Sequence, residues 1–324
     1  MFTHSNTQLI TLGTAAGPAI RGNENGMASA VVVDGKHYLV DFGLGCVRAA
    51  HSAGLRGQDL VAGFITHLHS DHVGELPAYL MWNWGEPVDG FTEPVSIFGP
   101  GQDKNRTDGA ELAGTEQMLT CILEAFSYDL SIRVTDEARP PMSSLISAHD
   151  IDIPVLPDGS GSTCFTVYED DRVRVSAALV DHPPVFPAFA FRFDTADGSV
   201  TFSGDTAEST ALIELAQDTD ILVHEAVNLD FFTAAGFDPT FINHQRMSHT
   251  SPEGAGRVAE ASGAQHLVLS HLAGVATQQE WQARAQSTYS GPVTVATSGQ
   301  TFTVGTPTAA TEAVLKSNEV PVEA

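Results

Sequence analysis

The stretch Gly63-Phe64-Ile65-Thr66-His67-Leu68-His69-Ser70-Asp71-His72 decides how this chain is read. It begins inside an apolar run, VAGFIT at 61–66, that has the length and composition of a strand. Side chains alternate faces along a strand, so His67 and His69 leave its end on the same side. With Asp71 and His72 close behind, three imidazoles and a carboxylate converge within six residues. Imidazole and carboxylate suit zinc and similar divalent ions. Four such groups exceed what one open catalytic zinc takes from so short a stretch, so two adjacent ions are expected.

A pair of ions needs further ligands, and a rigid scaffold supplies them best at other strand ends. Asp205 follows the run SVTFS at 199–203, His182 follows VRVSAALVD at 173–181, and His271 follows HLVLS at 266–270. The candidate metal ligands are therefore His67, His69, Asp71, His72, His182, Asp205 and His271.

Further out, strand-like runs lie at 8–12, 94–98, 188–193, 220–224 and 292–304, and 29–41 reads as a hairpin turning at Asp34-Gly35. Helical periodicity appears at 107–126, 207–217 and 252–262, the last with Ser251 as N-cap and Pro252 at its first position. Strands alternating with helices predict a layered α/β domain. One domain over 1–310 is expected, with a helical insertion at about 75–147 bracketed by surface loops at 99–109 and 135–162, and a tail at 311–324.

The 324 residues are 42% hydrophobic and 17% charged, which is a globular composition. Forty acidic against fifteen basic side chains leave a formal charge of −25, which repels phosphate backbones and argues against sequence-independent nucleic-acid binding. Cys46, Cys121 and Cys164 fall in no CxxC spacing, so neither a disulfide framework nor a cysteine zinc site is expected, and all three read as buried thiols. Without a basic leader or a run of roughly 18 apolar residues, a soluble, cytoplasmic protein with no membrane partner is expected.

Taken together, these motifs resemble the metallo-β-lactamase superfamily over roughly residues 8–305. The closest likeness is to the branch containing ribonuclease Z and an arylsulfatase-type hydrolase. The matching text includes Leu39-Val40-Asp41-Phe42-Gly43, the HxHxDH run, Ile97-Phe98-Gly99-Pro100, Phe202-Ser203-Gly204-Asp205-Thr206 and Val223-His224-Glu225-Ala226. The resemblance implies a four-layer αββα sandwich. It implies that His67, His69 and His182 hold one ion, that Asp71, His72 and His271 hold the other, and that Asp205 lies between. Zinc is the first expectation, with manganese or iron as alternatives. The resemblance further implies that Glu225 and His249 shuttle a proton, that Asp71 orients the nucleophile, and that the protein is a homodimer. His69 stands where oxygen-reducing di-iron relatives carry Glu, which favours hydrolysis.

Departures from ribonuclease Z shift the expected substrate. No basic arm is evident at about 150–172, which is acidic instead, and the early lysine-containing motif reads Pro18-Ala19-Ile20-Arg21-Gly22-Asn23. The expectation is a hydrolase for an ester-type bond of a small hydrophobic or aromatic molecule: a carboxylic ester or lactone, a sulfate ester or a phosphodiester. Its wall would come from 183–189 and from Leu76, Tyr79, Leu80, Met81, Trp82 and Trp84. Nucleic acid is not expected as a partner. The alternatives are a tRNA 3′-end endonuclease or other phosphodiesterase, and a non-catalytic metal-binding protein on the same fold.

Overall fold

Alternation of side chains decides which layer each strand residue joins. In β4 (Leu60–Phe64), Ala62 and Phe64 face one way, while Gly63 and the following Ile65 face the other. In β9 (Phe189–Asp194), Phe189, Phe191 and Phe193 share one face and Ala190 takes the opposite one. Both faces are apolar because both are covered, which is the pattern of a strand inside a layered sandwich. In the computed structural model, which describes residues 6–86, 88–104, 111–154 and 163–305, these strands belong to two seven-stranded sheets packed face to face.

The first sheet holds β1 (Gln8–Gly13), β2 (Ala28–Val33), β3 (Lys36–Val40), β4, β5 (Val95–Pro100) and β6 (Ile146–Ile151), with β14 (Gln300–Thr303) beside β1. The second runs in space from β13 (Val293–Val295) through β12 (Leu267–Ala273), β11 (Ile221–Val227), β10 (Ser199–Phe202), β9 and β8 (Arg174–Leu179) to β7 (Phe165–Glu169). Strands β3 to β6 are parallel to one another, as are β10 to β13. Because β8 and β10 are each antiparallel to β9, they too point the same way.

The inter-sheet core is rich in phenylalanine. Phe64 is fully buried, stacks on Phe98 at 5.4 Å and meets Phe191 and Phe193 edge-on at 5.6 and 5.2 Å. Burying each such ring contributes about 1.5–3 kcal/mol. Against the outer face of the first sheet pack α1 (Cys46–Ser52), α2 (Ser70–Val73), α3 (Leu76–Trp82), α4 (Thr115–Ala125) and α5 (Ser127–Asp136). The second sheet is flanked by α6 (Thr210–Leu215), α7 (Leu229–Ala234), α8 (Pro239–Ser248), α9 (Pro252–Ser262) and α10 (Gln278–Gln286). As its sequence predicts, α9 starts with the Ser251 side chain accepting from Gly254 N–H and Pro252 in the first turn.

Several expectations require correction. The run 292–304 is two strands in different sheets, because the chain turns at 296–299 between β13 and β14. Residues 75–147 are not one helical insertion: β5 and the start of β6 lie within them as sheet strands. β6 also occupies part of the stretch expected as a loop at 135–162, while 155–162, 105–110 and the tail at 311–324 lie outside the described residues. Of the cysteines, Cys46 is buried, Cys164 is half-buried and Cys121 is exposed. No helix among the described residues is long and apolar enough to cross a membrane.

Candidate metal centre

Parallel strands bring their carboxyl ends to one edge, and open α/β sheets build their sites there. His67 and His69 follow β4, His182 follows β8, Asp205 follows β10, and His271 lies near the end of β12. A left-handed turn at Gly204, φ 60°, swings Asp205 out of the β10 direction; a Cβ there would meet Phe189 O at 2.6 Å. His271 is aimed by a different device. Glu225 pairs with Ser270 and the next residue, Ala226, pairs with Leu272, so His271 is the extra residue of a β-bulge, with φ 42°. Such backbone conformations cost about 1–3 kcal/mol and persist where the surroundings enforce them.

All seven candidate ligands meet in this edge. His67, His69, His182 and Asp205 offer ligand atoms lying within 4.8 Å of one another, and Asp71, His72 and His271 do the same. His69 Nδ1 lies 2.9 Å from His67 Nε2 and 3.3 Å from His182 Nε2. Asp205 spans both groups: Oδ2 is 3.8 Å from His67 Nε2, while Oδ1 is 3.4 Å from His72 Nε2 and 3.3 Å from His271 Nδ1. His271 Nε2 and Asp71 Oδ2 are 3.4 Å apart, and Asp71 Oδ2 also accepts from Gly17 N–H at 3.0 Å.

These residues fit a pair of divalent cations. Among the described residues His72 Nε2, Asp205 Oδ1 and His271 Nδ1 are buried without a hydrogen-bond partner, a cost of roughly 1–3 kcal/mol each unless something else is bound. The donor set is imidazole nitrogen and carboxylate oxygen throughout, as such ions require.

For His67, His182, Asp205 and Asp71 the electrostatics agree. Burial, reinforced by neighbouring imidazoles, holds His67 well below the ordinary histidine range, and burial lowers His182 to about 4, so both present lone pairs. Burial would raise the Asp205 carboxyl, but His271, His72 and His67 around it hold it well below the usual range. Asp71 is likewise held down against its burial by His271 and His72. His72 is pushed down by burial and up, with the larger net effect, by Asp205 and Asp41.

Asp41, to which the sequence alone assigns no role, orients His72. Its Oδ2 accepts from His72 Nδ1 at 2.7 Å and from Thr66 Oγ1 at 2.9 Å, while Oδ1 accepts from Thr66 N–H at 2.8 Å. That fixes the tautomer with Nε2 free for a metal. His182 Nδ1 donates to Ser248 O at 2.9 Å with the same effect.

Glu225 and His249 also come together. His249 Nδ1 is 2.9 Å from Glu225 Oε1, which accepts as well from Thr206 N–H at 2.9 Å. His249 is 4.0 Å from Asp205, placing the pair beside the cluster. Burial lowers the His249 imidazole, yet the Glu225 carboxylate more than offsets this and raises it to about 9. Burial raises Glu225 in turn.

The expected substrate wall is elsewhere. Leu76, Tyr79, Leu80 and Trp84 are core residues beneath the first sheet, and Phe189 belongs to the inter-sheet core. The cleft at the cluster is instead lined by Phe231, Phe232, Phe237 and Phe241, with Arg21 and His244. The paired phenylalanines at 231–232 and the Gly-Phe-Asp-Pro turn at 236–239 were the available sequence signal.

A family model described as anti-Pycsar protein Apyc1 matches residues 7–84. A protein described as ribonuclease Z from Mycobacterium avium (strain 104) is 31% identical over 294 residues, covering 88% of this chain and 94% of the relative. Among solved structures, the metallo-β-lactamase fold protein YhfI from Bacillus subtilis aligns with a TM-score of 0.63 and 18% identity, over 92% of this chain and 99% of its own. The short form of human tRNase Z aligns with a TM-score of 0.61 and 19% identity, over 92% of this chain and 100% of its own. At those identities the two structures show the shared fold.

Proposed function

This chain belongs to the ribonuclease Z branch of the metallo-β-lactamase superfamily and is a metallo-hydrolase of that fold, and from that premise we propose that it is a metal-dependent phosphodiesterase. The observation that carries the proposal is the His249–Glu225 pair, 2.9 Å apart and beside seven convergent metal-binding side chains. An alkoxide leaving from phosphorus needs a proton, and a histidine oriented by a carboxylate supplies one.

His67, His69 and His182 would hold one ion, Asp71, His72 and His271 the other, with Asp205 reaching both. When bound, two such ions lower the pKa of water and neutralise charge developing on the phosphoryl oxygens. His249 gives its Nε2 proton to the departing oxygen, while Glu225 holds Nδ1 and stabilises the imidazolium. Asp71, anchored by Gly17 N–H, orients the attacking water. Arg21 stands in the cleft with Nη1 tied to Leu272 O and Gly274 O, supplying fixed positive charge for an anionic substrate.

The ribonuclease Z relatives favour phosphodiesters over the carboxylic and sulfate esters that the sequence left open. They also favour a second reading, cleavage at tRNA 3′ ends, and they weaken the expectation that nucleic acid is excluded. Against that reading stands the charge of −25, which opposes a long polyanion.

The test is turnover by the zinc- or manganese-loaded protein on bis(4-nitrophenyl) phosphate, 4-nitrophenyl acetate, 4-nitrocatechol sulfate and a 3′-extended tRNA. The phosphodiester should be the preferred small substrate. His249→Ala should slow alkyl leaving groups by about 10²–10⁴-fold and 4-nitrophenolate far less, since the latter departs unprotonated. A larger rate enhancement over the uncatalysed reaction for the carboxylic or sulfate ester overturns the proposal, and efficient tRNA cleavage that collapses with added salt selects the second reading.

A further inference from the structure

The cleft beside the metal cluster encloses about 720 Å³, within the roughly 300–1,000 Å³ typical of small-molecule sites. One side is polar, formed by His69, Asp71 and His249. The other is aromatic. Phe232, buried, supports Phe237 and Phe241 at centroid distances of 5.1 and 5.2 Å. Phe237 and Phe241 lie 5.2 Å apart at an interplanar angle of 33°, and Phe237 remains 43% exposed. Phenyl faces left open beside a polar, anion-accepting floor suit a planar group joined to a phosphate.

One turn further along α8, Gln245 lines the same cleft. It is 9% exposed, and its side-chain amide has no hydrogen-bond partner among the described residues. An amide at the cleft wall presents a donor and an acceptor side by side, and a heteroaromatic edge can match both. A plain aryl ring seated over the amide would shield it from water without pairing it, at a cost.

We propose that Phe237, Phe241 and Gln245 form a subsite for the nucleobase of a nucleotide phosphodiester, the rings stacking on the base and the amide reading its edge. The assignment rests on the phosphodiesterase reading for its substrate, but it concerns different residues and is tested by binding. The metal-loaded full chain is titrated calorimetrically with adenosine 5′-monophosphate, phenyl phosphate and ribose 5-phosphate, which share a phosphate monoester.

The nucleotide should bind roughly five- to hundredfold more tightly than ribose 5-phosphate, with phenyl phosphate between them. Replacing both rings, Phe237→Ala with Phe241→Ala, should bring the nucleotide down to the sugar phosphate and leave the sugar phosphate unchanged. Phe237→Leu keeps apolar bulk without a ring face, so it should lose part of the preference while the fold is retained. Gln245→Ala should lower the nucleotide to the level of phenyl phosphate. Equal affinity for nucleotide and sugar phosphate, or a parallel loss of both in the double variant, overturns the subsite. Equal binding of nucleotide and phenyl phosphate by the unaltered protein overturns base recognition in favour of a simple aryl group. Tight, ring-dependent nucleotide binding without cleavage of any phosphodiester would leave the subsite standing and remove the proposed activity.

Discussion

Asp41→Asn separates the orientation of His72 from the rest of the metal centre. Asn tolerates the left-handed backbone at this position, φ 63°, so the local fold is retained. The carboxylate accepts three hydrogen bonds, from Thr66 N–H, Thr66 Oγ1 and His72 Nδ1, at 2.8, 2.9 and 2.7 Å. An amide has one acceptor oxygen. If that oxygen keeps Thr66 N–H, the NH₂ group faces the threonine hydroxyl and the imidazole. The hydroxyl can rotate to accept, but His72 must then present an unprotonated Nδ1, and its proton moves to Nε2, the atom 3.4 Å from Asp205 in the cluster. One lone pair is withdrawn from the cation on the Asp71 side. Loss of an orienting partner of this kind lowers metal affinity by about 10–100-fold, or roughly 1.4–2.7 kcal/mol. Competition titration against a chromophoric chelator should therefore show one of the two ions weakened by that factor and the other unchanged. Unaltered affinity for both ions would refute the orienting role.

Three other outcomes are expected. Stripping metal with a chelator should lower the melting temperature, because ions present at a hundred times their dissociation constant stabilise by about 2.7 kcal/mol; an unchanged melting temperature would contradict a native metal centre. Phe64→Ala should cost about 3–5 kcal/mol in denaturant unfolding, since the ring is fully buried among three other phenyl groups, and a loss below about 1 kcal/mol would show that the inter-sheet core collapses around the gap. Burial lowers His37 from 6.5 to about 4, so between those pH values the unfolded chain takes a proton that the folded chain refuses. Its contribution is complete above pH 6.5 and is lost as pH falls towards 4, by about 3 kcal/mol. His37→Gln should flatten the stability profile across that window, and an unchanged profile would place the acid sensitivity elsewhere.

The cluster was legible in sequence because its chemistry is local: HxHxDH needs only the strand before it, and His182, Asp205 and His271 each follow an apolar run. The role of Asp41 was not, because its partners are 25 and 31 residues away and meet it only through parallel pairing of β3 with β4. Sheet membership was hidden for a similar reason: β13 and β14 share one local pattern, and only tertiary pairing sends them to different sheets. The aromatic stripe in α3 packs under the first sheet and not on the cleft. Apolar residues at helical spacing face the nearest sheet, as Leu76, Tyr79 and Leu80 do, whereas the cleft takes its rings from α7, α8 and the turn between them.

The extra residue at position 271 gives the second sheet an interruption it could do without mechanically. Deleting His271 would let Ser270 and Leu272 follow one another opposite Glu225 and Ala226, closing the ladder between the two buried strands. The shortened chain would have the more regular architecture and lack the group that stands between Asp71 and Asp205. At this point of the molecule, durability and chemistry pull in opposite directions, and selection for heat resistance alone would be expected to erase the irregularity first.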